Sequence, residues 1–225
     1  QPQIVSSVAL PNVAAAKTYI LLDDELTGMQ KLVDETDSRE RAIVFFQKPL
    51  KDARVFSSGN FAFIQSESQV FKIDVRNNRK ESLQIDSLEN LNNVQISPGG
   101  DFAFVQTEEE ERAQFVKFET NETTSSDLNN SAKIVWLNNN EFAFVTNQSY
   151  SSENLSVDGE FNYIQPLLEQ SAVGITFGTY DANNNRYRLI DQFSELQEIP
   201  DSFIPLANGN AIYFSSGDEI FKIIF

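Results

Sequence analysis

The sequence contains neither cysteine nor histidine, and each absence removes a class of site. Without cysteine there is no disulfide framework, so the fold must be stabilised by its apolar core alone. Without histidine there is no Ser-His-Asp triad, no histidine ligand for a catalytic zinc ion and no side chain that usually transfers protons near neutral pH. We therefore expect a chain that carries no cofactor.

Positive charge is also scarce, since 17 Lys and Arg residues stand against 33 Asp and Glu, a net charge of −16. Such a field repels phosphate backbones and anionic lipid surfaces, so we expect neither nucleic acid nor a membrane surface as partner. Cationic partners, divalent metals and neutral glycans stay open. No apolar run approaches the roughly 18 residues of a membrane helix; the longest, Ile43–Phe46, has the length of a strand.

Phenylalanine dominates the aromatic residues, with 19 Phe against six Tyr and one Trp, and Phe favours strands. One segment recurs: a few apolar residues, a small polar turn, and an apolar strand with Phe at alternate positions. The copies are Val55–Ile64, Gln95–Val105, Trp136–Val145, a weaker one at Ile204–Phe214 and a candidate at Ala16–Leu22. The residues that define the repeat are Gly59, Phe61, Phe63, Gly100, Phe102, Phe104, Asn140, Phe142, Phe144, Gly209 and Tyr213.

The turns of these copies are evenly spaced. Anchors at Lys17, Gly59, Gly100, Asn140 and Gly209 are separated by 42, 41, 40 and 69 residues. A period of about 40 residues with four short strands is typical of propeller blades. The longer last step fits one blade with an insertion, or two short blades.

The spacing predicts an all-β fold: a single β-propeller domain over residues 1–225 with about five four-stranded blades. The repeat units are 18–59, 60–100, 101–140, 141–209, and 210–225 together with 1–16. The apolar end Ile220–Phe225 resembles the second strand of a blade, and Gln3–Leu10 is the natural strand to complete it, because closure hides an exposed edge. A β-sandwich or an incomplete propeller is the alternative.

The segment Ser97-Pro98-Gly99-Gly100-Asp101-Phe102-Ala103-Phe104 resembles the Ser-Pro-Asp-Gly turn and Ala-Phe strand of TolB-type, WD40-like (PD40-like) propeller repeats. The hairpin strand Val70–Val75 is similar to the second strand of such blades. The sequence departs from the family at Gly99, where Asp is usual. The resemblance implies propeller architecture and a tendency to bind proteins or glycans, and it carries no catalytic residues.

Two acidic features are candidate metal sites. Asp181, Asn183 and Asn185 match the start of a calcium loop, but Arg186 stands where Gly is required and Gln192 where the bidentate Glu should be. A plain hairpin turn is the favoured interpretation, because Asn tolerates the left-handed conformation. The run Glu108–Glu111 is interpreted as a solvated loop, with a metal or basic partner as the alternative.

The sequence therefore predicts a non-catalytic binding or scaffolding domain with a protein partner. An exported or cell-surface protein is favoured as its source, and no membrane insertion is expected within this segment. The alternative is a glycan-binding or glycan-cleaving propeller that uses surface carboxylates and aromatic side chains, since glycoside hydrolysis needs no histidine.

Overall fold

The computed structural model describes residues 3–4, 17–67, 69–83, 90–108, 112–147, 160–161, 175–184, 186–193, 202–205, 211–216 and 219–224. Over these residues the secondary structure consists of strands and turns without helix, and the strands form five sheets. This confirms the predicted all-β fold of about five sheets and excludes the two-sheet sandwich. None of these residues forms a helix long and apolar enough to cross a membrane.

The first three sheets follow one another along the chain. The first has strand order β2-β3-β4, the second β5-β6-β7-β8 and the third β12-β11-β10-β9. Their strands are β2 Tyr19–Asp24, β3 Met29–Asp34, β4 Val44–Phe46, β5 Arg54–Ser58, β6 Phe61–Gln65, β7 Val70–Asp74, β8 Arg79–Leu83, β9 Leu91–Ile96, β10 Phe102–Thr107, β11 Arg112–Lys117 and β12 Glu122–Asn129. The second and third sheets each begin one strand before the repeat units 60–100 and 101–140, because the turns at Gly59 and Gly100 join the first strand of each sheet to its second.

The fourth sheet has the order β13-β14-β16-β17-β15, and the fifth combines the two ends of the chain in the order β1-β20-β19-β18. Their strands are β13 Lys133–Trp136, β14 Glu141–Thr146, β15 Glu160–Phe161, β16 Ile175–Asp181, β17 Arg186–Phe193, β18 Ser202–Pro205, β19 Ala211–Ser216, β20 Glu219–Ile224 and β1 Gln3–Ile4. The long last repeat step therefore corresponds to an insertion between β14 and β16, and this insertion supplies β15.

The predicted use of the N-terminal strand is confirmed by the register of the fifth sheet. Gln3 pairs with Lys222 and Ile4 with Phe221, so β1 lies antiparallel to β20. One sheet thus contains both ends of the chain, as in propellers whose last blade is completed by the first strand.

The chain divides into two compact units: a first unit of residues 13–110 and 114–124, and a second unit of residues 1–12, 111–113 and 125–225. In the first unit, β6 is buried on both faces. Phe61 and Phe63 belong to a core shared with the third sheet, whereas Ala62 and Ile64 belong to a core shared with the first sheet. Because both faces are covered, this strand lacks the polar alternation of a half-exposed strand.

Polar bridges accompany this packing. The Ser58 hydroxyl accepts a hydrogen bond from the Ile96 N–H at 2.8 Å and lies 3.2 Å from the Ile96 carbonyl, which links β5 to β9. The Tyr19 hydroxyl donates to the Gly59 carbonyl at 2.8 Å, which links β2 to the β5–β6 turn. These bonds satisfy backbone groups at the margins of apolar contacts.

Gly100 lies in a turn that leaves no room for a side chain. Its φ is +81°, and a Cβ built on it would lie 2.5 Å from Cζ of Phe61. Gly59, in the equivalent turn of the second sheet, has φ +59° with nothing within 4 Å of such a Cβ. The two glycines share a backbone requirement, but only Gly100 also makes room for a core ring.

The second unit has an aromatic core of its own. The rings of Phe177 and Phe214 lie 4.8 Å apart, and those of Phe142 and Tyr180 lie 5.0 Å apart. Within the weaker repeat copy at Ile204–Phe214, Phe214 is buried whereas Tyr213 is only partly buried, and Gly209 lies outside the described residues. Phe142 and Phe144 are buried like Phe102 and Phe104, so the repeated Phe residues of the second to fourth sheets are core residues.

We expect Gly100→Ala to destabilise the protein more than Gly59→Ala. Gly59→Ala adds only left-handed strain of about 1 kcal/mol, whereas Gly100→Ala also forces Phe61 to move, at about 1–3 kcal/mol more. Urea denaturation measures both losses. Adding Phe61→Leu should recover part of the Gly100→Ala loss, since the contacting residues are coupled; equal losses for the two alanine variants would contradict this account.

Candidate functional site

A groove of about 800 Å³ lies in the first unit, beside the ends of β4, β7 and β8. It is lined by the segment 45–51, by the β6–β7 turn, and by Met29, Phe71, Lys80 and Ser82. We call it the Phe45 groove. Its volume falls within the range of about 300–1,000 Å³ that is usual for ligand sites.

The buried wall of the groove is aromatic. Phe46 and Phe71 contact each other edge to face, with ring centroids 5.3 Å apart. The Lys80 Nζ lies 4.6 Å from the Phe46 centroid and donates a hydrogen bond to the Phe45 carbonyl at 2.8 Å. A ring face and a carbonyl thus orient the Lys80 ammonium group while leaving its positive charge unneutralised.

The opening of the groove carries an exposed aromatic side chain. Along β4 the alternation buries Val44 and Phe46 and turns Phe45 outward, where it is 46% exposed. Among the described residues, only Phe45 and Leu26 are large apolar side chains with high exposure. An exposed apolar group beside a concave surface is typical of a contact site.

Hydrogen bonds hold the segment 45–51 at its far end. The Leu50 N–H donates to the Gln30 Oε1 at 3.1 Å, and the Glu67 N–H donates to the Lys51 carbonyl at 3.2 Å. The Lys51 Nζ lies 3.0 and 2.9 Å from the two Glu67 carboxylate oxygens. The segment 45–51, which forms the rim of the groove, is therefore anchored to β3 through Leu50 and to the β6–β7 turn through Lys51.

The charge of the lining is opposite to that of the whole chain. Three lysines, Lys48, Lys51 and Lys80, face one carboxylate, Glu67. Lys48 is exposed, and within the described ranges no ion pair or hydrogen bond involves its side chain. The groove can therefore attract an anionic group without first breaking a contact of Lys48.

A second recess, of about 190 Å³, lies near Gly100, and its Lys72 and Glu81 side chains are paired with each other. The Lys72 Nζ lies 3.1 Å from the Glu81 carboxylate, donates to the Gly100 carbonyl at 3.1 Å, and sits 4.4 Å from the Phe118 centroid. These contacts join the second sheet to the third, so the recess is part of the packing.

The weak metal candidate at Asp181 lies in the β16–β17 hairpin turn. The Asp181 carboxylate accepts hydrogen bonds from the Asn183 and Asn184 N–H groups at 2.9 and 3.3 Å and from the Asn184 amide at 2.7 Å. Asn185 lies outside the described residues, as do residues 109–111 of the acidic run. The described part of the chain holds no group of three Asp or Glu residues placed to bind a metal ion.

The same turn occurs in the second sheet. The Asp74 carboxylate accepts from the Arg76 and Asn77 N–H groups at 3.0 and 3.3 Å and from the Asn77 amide at 2.7 Å. Burial raises the pKa of Asp74, but the hydrogen bonds from Asn77 and Arg76 outweigh it and leave the pKa below its ordinary value. The recurrence indicates that this carboxylate arrangement closes β-hairpins.

The sequence did not point to the Phe45 groove, although one signal was present. Phe45 and Phe46 are adjacent, and consecutive strand residues point to opposite faces, so one of the two must leave the core. Lys48 and Lys51 follow before the next repeat begins. That these residues face the β6–β7 turn depends on the packing of two sheets.

Comparison with known proteins gives a likeness of fold. No family model and no curated protein sequence matches the chain. The crystal structure of the tricorn protease superposes with a TM-score of 0.53 and 14% identity over 89% of this chain and 18% of that chain. Putative TolB from Agrobacterium tumefaciens gives a TM-score of 0.45 and 11% identity, covering 82% of this chain and 61% of its own.

The Myceliophteria thermophila Cps50 (Swd1) β-propeller domain gives a TM-score of 0.46 at 9% identity, with 93% of this chain and 63% of that one covered. The chain spans less than two thirds of the length of each of these proteins. At such identities the likeness concerns the fold alone. The five successive sheets and the repeat of about 40 residues make the fold of this chain β-propeller-like.

We expect calcium to leave the melting temperature unchanged, because the Asp181 carboxylate is already used by its turn. A genuine site would raise the Tm by about 5 °C or more at about 100-fold excess over its Kd. Differential scanning calorimetry with and without calcium measures this, and Asp181→Asn is the control. A rise in the wild type that Asp181→Asn abolishes would establish a metal site instead.

We expect Asn77→Ala to raise the pKa of Asp74 toward its ordinary value. The folded pKa of Asp74 is depressed, so its carboxylate adds stability above the unfolded pKa of about 3.9, and this contribution is lost as the pH falls through the folded value. Wild type should exceed Asn77→Ala in stability at neutral pH, and the two should converge in acid. Asn139→Ala, an exposed turn residue, is the control; parallel pH profiles for wild type and Asn77→Ala would refute the assignment.

Proposed function

We propose that this chain is a non-catalytic binding or scaffolding propeller that holds a protein partner in the Phe45 groove. One observation carries the proposal: an exposed Phe45 beside an aromatic wall, on a rim held by hydrogen bonds to both sides. Protein contact sites concentrate their affinity in such central aromatic anchors.

The anchored rim supports this role energetically. Binding costs less free energy when the contacting segment is ordered beforehand. The Leu50 and Lys51 backbone groups are hydrogen-bonded to Gln30 and Glu67, so the partner need not order this end of the segment. The groove thus provides a preformed surface.

Several finer parts of the proposal rest on the sequence alone. The absence of catalysis is a prediction from the missing histidine and cysteine, and the tricorn protease is itself an enzyme. The extracytoplasmic location is likewise a prediction. The glycan alternative receives less support at this groove, because its aromatic side chains are Phe, which offers no hydroxyl or indole N–H to a sugar.

We expect a displayed random-peptide library, panned on the immobilised chain, to yield peptides that bind the Phe45 groove. Phe45→Ala should weaken the selected peptides about tenfold, as for the loss of an aromatic anchor. Leu26→Ala, which removes the other exposed apolar side chain, is the matched control and should have no effect. Both are surface changes that cost about 0.5 kcal/mol of stability or less.

Fluorescence anisotropy of the labelled peptides measures the affinities. The proposed function fails if no peptide is enriched, or if every enriched peptide binds Phe45→Ala and wild type equally.

A further inference from the structure

The charges of the chain are unevenly distributed along the sequence. Residues 29–82, which contribute every residue that lines the Phe45 groove, hold ten Lys and Arg and eight Asp and Glu, a net charge of +2. The remaining residues therefore carry a net charge of −18, which with the +2 of residues 29–82 gives the −16 of the whole chain. A positively charged surface in such an acidic chain is a local feature, and it favours anionic ligands that the rest of the chain does not.

The lysines at the groove differ in what holds them. Lys80 is oriented by the Phe46 ring and the Phe45 carbonyl, Lys51 is paired with Glu67, and Lys48 has no partner among the described residues. Two of the three ammonium groups therefore have no carboxylate partner in the described structure. An incoming carboxylate would gain charge-assisted contacts to these groups without displacing one already present.

We propose that the groove recognises an acidic protein segment that carries an aromatic or aliphatic anchor. This rests on the proposed function and names its partner. The anchor packs on Phe45 and Leu50, and the flanking carboxylates approach Lys48 and Lys80. A basic segment would instead place its charges beside three lysines, and a neutral one would leave them unused.

The strongly negative remainder of the surface gives this recognition its specificity. The net charge of −18 on the remaining residues disfavours an acidic segment there, so its binding is directed to the lysines of the groove. The same repulsion prevents fast electrostatic steering from a distance, so the attraction acts at short range and weakens as salt screens it.

Among the described residues, Glu67 is the one carboxylate that lines the groove. Removing its charge should therefore strengthen the binding of an acidic peptide, whereas removing the charge of a lysine should weaken it. Glu67→Gln removes the nearer of the two carboxylates that pair with Lys51, since Asp52 lies 3.9 Å from its Nζ and Glu67 2.9 Å. The substitution should tighten the binding of a short fluorescein-labelled peptide of aspartate and glutamate around two phenylalanines, by about twofold to fivefold, the scale of an exposed charge pair. Lys48→Gln should weaken the same peptide by a similar factor. Fluorescence anisotropy at low and high salt gives the affinities.

Matched controls distinguish an effect of charge in the groove from an effect of the net charge of the chain. Glu119→Gln removes another exposed carboxylate that pairs with a lysine, Lys117, but does not line the groove, and it should leave the affinity unchanged. The peptide with its acids replaced by asparagine and glutamine should bind more weakly. Phe45→Ala reports whether a peptide occupies the groove at all.

The outcomes distinguish the two proposals. If the amide peptide or a lysine-flanked one binds as tightly as the acidic one and Phe45→Ala weakens it, the acidic preference is wrong and the binding function stands. If Glu67→Gln and Glu119→Gln act alike, the preference is likewise wrong. If neither this set nor the displayed library gives a peptide sensitive to Phe45→Ala, both proposals fall.

Discussion

The first unit depends on the burial of central strands on both faces. In β6, successive side chains enter two different cores, with the large Phe61 and Phe63 on one side and Ala62 and Ile64 on the other. From the third sheet, the smaller Ala103 and Val105 share the core of Phe61 and Phe63. Side chains of different sizes from two sheets thus share one core, which favours dense packing.

This constraint determines where polar groups can lie. A strand covered on both faces has no solvent side, so charge and hydrogen-bonding side chains collect at the turns and the outer strands. The Asp74 and Asp181 turns and the Ser58 bridge are examples, each of which satisfies backbone N–H groups next to a core. The short polar motifs of the repeat are therefore consequences of packing. They recur because backbone N–H groups must be hydrogen-bonded wherever a strand leaves a core.

The Phe45 groove lies where the chain passes from the first sheet to the second, outside the repeated strand and turn pattern. Between β4 and β5 the chain must leave one sheet and enter the next, and the segment 47–51 makes this passage on the surface. Its backbone is held by Gln30 and Glu67, so it stays close to both sheets while its lysines remain accessible. The result is a polar, positively charged region on an acidic protein, with the exposed Phe45 at its opening and buried aromatic rings in its wall.

The sequence by itself determined the all-β class, the period of about 40 residues and the use of the N-terminal strand to complete a sheet. These follow from local periodicity and turn chemistry, which short segments express without knowledge of their neighbours. It also indicated that Asp181 belongs to a hairpin turn.

Only the tertiary structure decided that the long repeat step is an insertion that adds β15, and that Phe45, Lys48, Glu67 and Lys80 surround one groove. Residues 45 and 80 are brought together by the packing of one sheet against another. Contacts between residues so far apart in the sequence produce no repeating pattern in it. The sequence pattern alone therefore could not place the lysines beside the aromatic wall.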